Sequence, residues 1–358
     1  MFKTLMLISL IGCSALGSKT SDKQKKNFEK SKQFNSKSGE FENRRPKIVK
    51  DMQETLSRWD LFKKWYSQKE SPAPKEKLPE IKPDLVRFVE KDDSVKSIWF
   101  GHSTFLLNFH GKIILVDPVF SGSASPVSFL VKRFQPPVLN LQELPQIDYV
   151  LISHDHYDHL DMESIEFLSK TNATFIAPLG VSAHLESWGV DKSKIVEKDW
   201  WESYEVAGLK FICTPAQHFS GRSGFSGNET LWASWVIQNK KSNIYFSGDS
   251  GYDTHFKEIG SRYGPFDIAY LESGQYSKDW EAVHMLPEQG AQAYMDLKTK
   301  MYFPVHWGMF VLSFHKWNDP VVQLTKLKSK YNINLVTPRI GEIIDIHATN
   351  TSTSWWDI

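Results

Sequence analysis

From about residue 95 the apolar positions fall in short runs separated by turn residues, a pattern that predicts strands rather than long helices. Residues 97–100 and 104–109 read as two short strands, and His110-Gly111 turns the chain into a third over 112–116, ending at Asp117-Pro118. A further strand is predicted over 148–153, and others over 174–177, 202–206, 209–213, 232–238, 244–247 and 268–271. Between them, helical spacing predicts helices over 162–169 (capped by Asp161), 181–188, 254–262, 287–297 and 320–330. Mixed elements with polar residues at strand ends indicate an α/β fold, two sheets covered by helices. Ahead of this body, Met52, Leu56, Trp59, Phe62 and Trp65 recur at spacings of three and four, which predicts an amphipathic helix over 51–68. Prolines at 72, 74, 79 and 83 then make an extended connector.

Charge divides the chain in the same place. The formal net charge is only +1, so no nucleic-acid partner is expected. Yet residues 19–50 hold eleven Lys or Arg against four Asp or Glu, about +7, which leaves the body mildly acidic. The segment 14–39 is rich in Ser, Lys and Asn, and on composition is expected to behave as a solvated tether. The two cysteines, Cys13 and Cys213, exclude both a disulfide framework and a cysteine-based metal site.

The N-terminus begins Met1-Phe2-Lys3 and runs apolar to Ile11, far short of the ~20 residues that span a membrane. It closes on Leu10-Ile11-Gly12-Cys13, which resembles the lipobox of bacterial lipoproteins. That resemblance implies cleavage after residue 12, acylation of Cys13 as a membrane anchor, and residence in the bacterial cell envelope; Ser14 is similar to the outer-membrane sorting case. The expected organisation is therefore a signal peptide over 1–12, a lipidated basic tether over 13–50, a helical arm and connector over 51–94, a catalytic domain over 95–348 and a C-terminal tail over 349–358.

The chemistry is concentrated in His154-Asp155-His156-Tyr157-Asp158-His159, directly after a predicted strand and before a capped helix. Imidazole and carboxylate are good ligands for zinc and similar borderline metals. Four such side chains in six residues cannot face one ion in strand geometry, but a loop can divide them between two adjacent ions. Further polar residues follow later strands: Pro215-Ala216-Gln217-His218, Ser247-Gly248-Asp249 and Pro304-Val305-His306.

Taken together, in this order, these motifs resemble the metallo-β-lactamase superfamily. The resemblance implies a four-layer αββα fold with an N-terminal helical arm. It implies two metal ions, expected to be zinc: one held by His154, His156 and His218, the other by Asp158, His159 and His306, with Asp249 bridging. A hydroxide between them would be the nucleophile. Asp117 would orient a ligating histidine, and His102 is expected to be structural or to support a ligand.

Gly101-His102-Ser103-Thr104, Asp117-Pro118-Val119-Phe120, Asp199-Trp200-Trp201-Glu202, Pro215–His218 and Leu231–Trp235 further resemble the branch of N-acyl-phosphatidylethanolamine-hydrolysing phospholipases D and their bacterial relatives. The implied activity is phosphodiester cleavage in an N-acylated phosphatidylethanolamine or related phospholipid. His284 matches a family histidine near the metals and is a candidate to protonate the leaving group. Trp200, Trp201, Trp232, Trp235 and Trp307 are candidates for core or for an acyl groove. Residues 271–276 depart from the animal enzymes near the expected rim of the site. Two other readings therefore stand beside the lipid one: a lactonase or other non-lipid hydrolase, and a non-catalytic envelope binding protein.

Overall fold

The computed structural model describes residues 14–55, 57, 59, 63, 66, 71–223, 227–348 and 353–358. Its first two strands, β1 (Phe34–Asn35) and β2 (Glu40–Phe41), form a small hairpin. Thirteen more make two sheets. The first contains β3 (Val95–Trp99), β4 (Phe105–Phe109), β5 (Lys112–Val116), β6 (Tyr149–Leu151), β7 (Thr174–Pro178) and β8 (Ile195–Lys198), with β15 (Ile343–Asp345) returning to pair with β3. The second runs β14 (Tyr302–Val305), β13 (Ile268–Glu272), β12 (Asn243–Phe246), β11 (Ser234–Gln238), β10 (Leu209–Thr214) and β9 (Ser203–Val206).

Alternation along these strands sets the layers, because successive side chains point to opposite faces. Phe105 and Leu107 of β4 meet Phe211, Cys213, Trp235 and Ile237 of β10 and β11 in a shared inner core. Leu106 between them faces outward onto Ile165 and Leu168 of the helix Met162–Leu168. Ile212 and Val236 likewise face outward, onto Phe256 and Ile259 of the helix His255–Arg262 and Leu297 of the helix Pro287–Leu297. The result is helix, sheet, sheet, helix. Across the inner core Phe105 stacks on Tyr270 at 4.1 Å and 6°, one ring from each sheet. Such a pair adds about 1 kcal/mol beyond the area it buries.

Two expectations are corrected. The segment expected to be a solvated tether is ordered from residue 14 and wraps the body as a strap. Its helix Asp22–Phe28 is held by a Ser21–Gln24 capping box, and Phe28, Phe34 and Phe41 form an aromatic knot with centroids 5.1–5.6 Å apart. Three phenylalanines supply burial that the average composition conceals. The connector is also docked, through buried Leu78 and Phe88 and a bridge between Glu80 and Ile340. At the C-terminus Trp355 and Trp356 are buried against Trp307, so this end is core rather than a free tail. Of the expected helix over 51–68, the helix Ile48–Thr55 is described and most of the remainder lies outside the described residues, as do the expected signal segment and Cys13.

Candidate metal centre

Both sheets deliver polar side chains to one edge of the sandwich. The first sheet supplies His102 after β3, Asp117 after β5 and the 154–159 loop after β6; the second supplies His218 after β10, Asp249 after β12 and His306 after β14. The loop is set at its far end by Asp161, whose carboxylate accepts from Ser164 N–H and caps the helix that follows. His102, Asp117 and His306 have φ of 54°, 38° and 68°, left-handed backbone that non-glycine residues adopt at a cost of about 1–3 kcal/mol. Strain of this kind persists where the surrounding structure overdetermines the position.

The side chains gather into two adjacent groups of four, and Asp249 and His306 form a third with His284. His154, His156, His218 and Asp249 bring one ligand atom each within 4.8 Å of one another, and so do His102, Asp158, His159 and His306. Asp249 joins them: its Oδ2 is 3.7 Å from Nε2 of both His154 and His218, 3.1 Å from His159 Nε2 and 2.9 Å from His306 Nε2. Asp158 Oδ2 lies 3.3 Å from His306 Nε2 and 2.9 Å from His102 Nε2. His102 thus braces Asp158, and its backbone exchanges hydrogen bonds with His306 and Trp307.

The outer nitrogens fix the inner ones. His218 Nδ1–H donates to the Val283 carbonyl at 3.1 Å, and a carbonyl can only accept, so Nε2 turns its lone pair inward. His159 Nδ1–H donates to Asp117 Oδ2 at 2.6 Å. Ser153 Oγ gives its proton to the same carboxylate and therefore accepts from His154 Nδ1–H at 2.9 Å. His154 and His218 accordingly aim bare Nε2 atoms at the centre. His156 Nδ1 sits 3.0 Å from His154 Nε2 and 3.2 Å from His218 Nε2 and can satisfy at most one of them with a proton. Asp249 Oδ1 is buried without a hydrogen-bond partner among the described residues. A divalent cation in each group satisfies every one of these atoms, so the donor set fits the metals that the sequence implies.

Electrostatics point the same way. Burial, reinforced by neighbouring imidazoles, holds His154 and His218 well below the usual histidine value, in the neutral form a metal requires. Burial opposes charge on His159 and His306 too, but the Asp249 and Asp158 carboxylates override it, raising His159 strongly and His306 to about 10. Two buried carboxylates here demand positive charge. Asp155, the one acidic side chain of the loop outside both groups, turns outward to accept from Gly221 N–H and Thr230 Oγ1–H at 2.8 and 2.9 Å.

Two residues to which the sequence assigned no role are part of this architecture. Asn43, on the strap, donates to the His218 carbonyl at 2.7 Å and accepts from His218 N–H at 3.1 Å, while Trp232 Nε1–H reaches the same Oδ1 at 3.2 Å. Glu272, at the end of β13 and 1% exposed, accepts from His284 Nδ1–H at 3.2 Å and from the backbone N–H of Gly274 and Met285. His284 is thereby aimed at the centre, its ring 5.0 Å from that of His218 and 5.1 Å from that of His306. Nothing local marks Asn43. A carboxylate closing an apolar strand is a signal that points to Glu272.

A cavity of about 280 Å³ opens on both groups. His156, Asp158, Asp249, His284 and His306 form its polar floor, and Met52, Phe219, Trp280, Val283 and Leu312 its apolar walls. Gln275, in the segment that departs from the animal enzymes, accepts from Leu312 N–H at 2.7 Å and so holds one wall. Trp200, Trp232, Trp235 and Trp307 are buried in the inner core.

Comparison with known proteins gives the same picture. Residues 112–307 match the family described as Beta-lactamase superfamily domain. An uncharacterized protein of Mycobacterium tuberculosis is 40% identical, over 83% of this chain and 80% of its own length. The N-acyl-phosphatidylethanolamine-hydrolyzing phospholipase D 1 of Caenorhabditis elegans is 33% identical, over 68% of this chain and 74% of its own. A shorter stretch, 26% of the chain, is 51% identical to 70% of the outer membrane protein RomA of Klebsiella pneumoniae. Among solved structures, a metallo hydrolase from Ignicoccus hospitalis shares the fold at a TM-score of 0.55, with 22% identity over 72% of this chain and all of its own.

Proposed function

The chain belongs to the metallo-β-lactamase superfamily of metal-dependent hydrolases, and on that premise we propose that it is a phosphodiesterase of phospholipase D type. Its substrate is an N-acylated phosphatidylethanolamine or a closely related membrane lipid. The observation that carries this reading is the cavity: an apolar wall of Met52, Phe219, Trp280, Val283 and Leu312 rises directly from a polar floor of metal-ligand type. Apolar side chains beside the centre suit an acyl chain next to a phosphodiester. The relationship to the worm phospholipase D supports the same substrate class.

His154, His156 and His218 would hold one zinc ion and Asp158, His159 and His306 a second, with Asp249 shared between them. When bound, such a pair supplies Lewis acidity and an activated water. The protein's own side chains do the rest. Asp117, Ser153 and the Val283 carbonyl keep the ligand tautomers, and the apolar wall excludes bulk water from the reacting phosphodiester. His284, oriented by Glu272, supplies the proton to the leaving oxygen. The lipobox-like run ending at Cys13 and the resemblance to RomA support a lipid-anchored enzyme of the cell envelope, at the outer membrane. No helix of the described residues is long and apolar enough to cross a membrane.

Product analysis tests the proposal. The zinc-loaded enzyme, given N-acylated phosphatidylethanolamine beside a lactone panel, is expected to release phosphatidic acid and N-acylethanolamine. Turnover confined to lactones would overturn the lipid reading, and absence of turnover with both metal sites filled would overturn the enzymatic one.

A further inference from the structure

Residues 121–134 form a finger on the surface. Its root is pinned: Ala124 N–H and Arg133 N–H donate across it to Val131 O and Gly122 O at 3.0 Å each, and Arg133 Nε–H donates to Ser121 O at 3.1 Å. Its tip presents Val127, Phe129 and Leu130, which are 36%, 70% and 49% exposed. Three large apolar side chains in four residues, held out on a braced root, contribute little to the core and mark a contact surface.

The surroundings identify what it contacts. Ala15 shares a cavity of about 190 Å³ with Ser125, Pro126 and Ser128 of the finger. It is fixed there because Arg222 Nε–H and Nη2–H both donate to its carbonyl, at 3.0 and 2.8 Å. The described start of the strap therefore lies beside the finger. Lys132 is exposed at the root of the finger, and Lys19, Lys23, Lys26 and Lys30 are exposed along the strap that starts beside it. A second copy seated symmetrically on the finger would bring two copies of Lys132 together, and like charges oppose that.

We propose that the Val127–Leu130 tip inserts into a bilayer whose anionic head groups engage Lys132 and Lys19, docking the enzyme on its lipid surface. The inference deepens the reading of a membrane lipid as substrate, and its test reads insertion rather than turnover, so either can fail alone. Full-length protein carrying Cys13→Ser and Phe129→Cys takes an environment-sensitive fluorophore at the tip, since Cys213 is buried. Vesicles of phosphatidylethanolamine and phosphatidylglycerol are expected to shift its emission to the blue, and phosphatidylcholine vesicles to do so far less. Adding Lys19→Glu and Lys132→Glu is expected to weaken vesicle affinity at least about tenfold. The same label on Lys240→Cys, beyond the end of β11, is expected not to respond. An equal shift at Lys240→Cys, or none at Phe129→Cys, overturns the proposal. A shift that grows with protein concentration and needs no vesicles overturns it in favour of a second copy.

Discussion

Asn43 grips both backbone groups of His218, donating to its carbonyl at 2.7 Å and accepting from its N–H at 3.1 Å. A residue of the N-terminal strap thus holds in register a candidate ligand 175 positions away. Asn43→Ala would strand the buried N–H and carbonyl of His218, while the Trp232 indole keeps its bond to the Ala216 carbonyl, a loss of about 1–3 kcal/mol. Metal affinity is expected to fall about 10–100-fold, as when other partners that orient ligands are removed. Metal content after stepwise chelation checks this, and Asn43→Asp, which keeps the acceptor and loses the donor, is expected to lie between.

The contact between Glu272 and His284 makes a different prediction. Glu272→Gln keeps the volume but presents an amide N–H₂ toward backbone donors, so His284 loses its fixed tautomer. Activity is expected to drop about 10²-fold through kcat, with KM and metal content little changed. His284→Ala is expected to cost a similar factor, and combining the two substitutions to add little, because they disable one unit. Steady-state kinetics with metal analysis of each variant check this. Full additivity would separate the two roles.

Metal removal is expected to lower stability as well as abolish activity. Without cations, Asp249 and Asp158 keep their charge only by holding protons on His159 and His306. Zinc in roughly thousandfold excess over its dissociation constant stabilises a native site by about 4 kcal/mol. Thermal melts with chelator, and then with zinc restored, are expected to fall and recover together with activity.

Acid is expected to destabilise the chelated protein in a window set partly by His255. This side chain is buried beside Ser250, and burial, with Arg44 adding to it, lowers its pKa to about 3. A histidine depressed in the folded state contributes stability that is intact above the unfolded value near 6.5. That contribution is lost as the pH falls toward 3. Denaturant titrations between pH 7 and 4 are expected to show the decline, and His255→Gln to flatten it.

Much of this centre was legible in the chain because its signals are local. His154 to His159 lie within six residues, and the later ligands each follow an apolar run that forms a strand. Most strands and helices of the sandwich were readable from the same alternation. What escaped notice depends on tertiary contact. Half-exposed β8 and two-residue β1 and β2 carry too little periodicity to register. The strap was misjudged because its lysines dominate the composition, whereas Phe28, Phe34, Phe41 and Asn43 decide its fate. Trp355 and Trp356 likewise looked like the end of a tail until Trp307 and Trp317 provided a stack to join.

The stacked rings of Phe105 and Tyr270 carry a consequence for how this protein can change. They belong to opposite sheets, and each sheet delivers a different share of the candidate ligands. The thickness of the core is therefore also the spacing of the chemistry. A smaller side chain at either position would let the sheets settle closer, and metal affinity is expected to fall along with the melting temperature. Substitutions far from any ligand can in this way retune the centre, with the sandwich acting as its calliper.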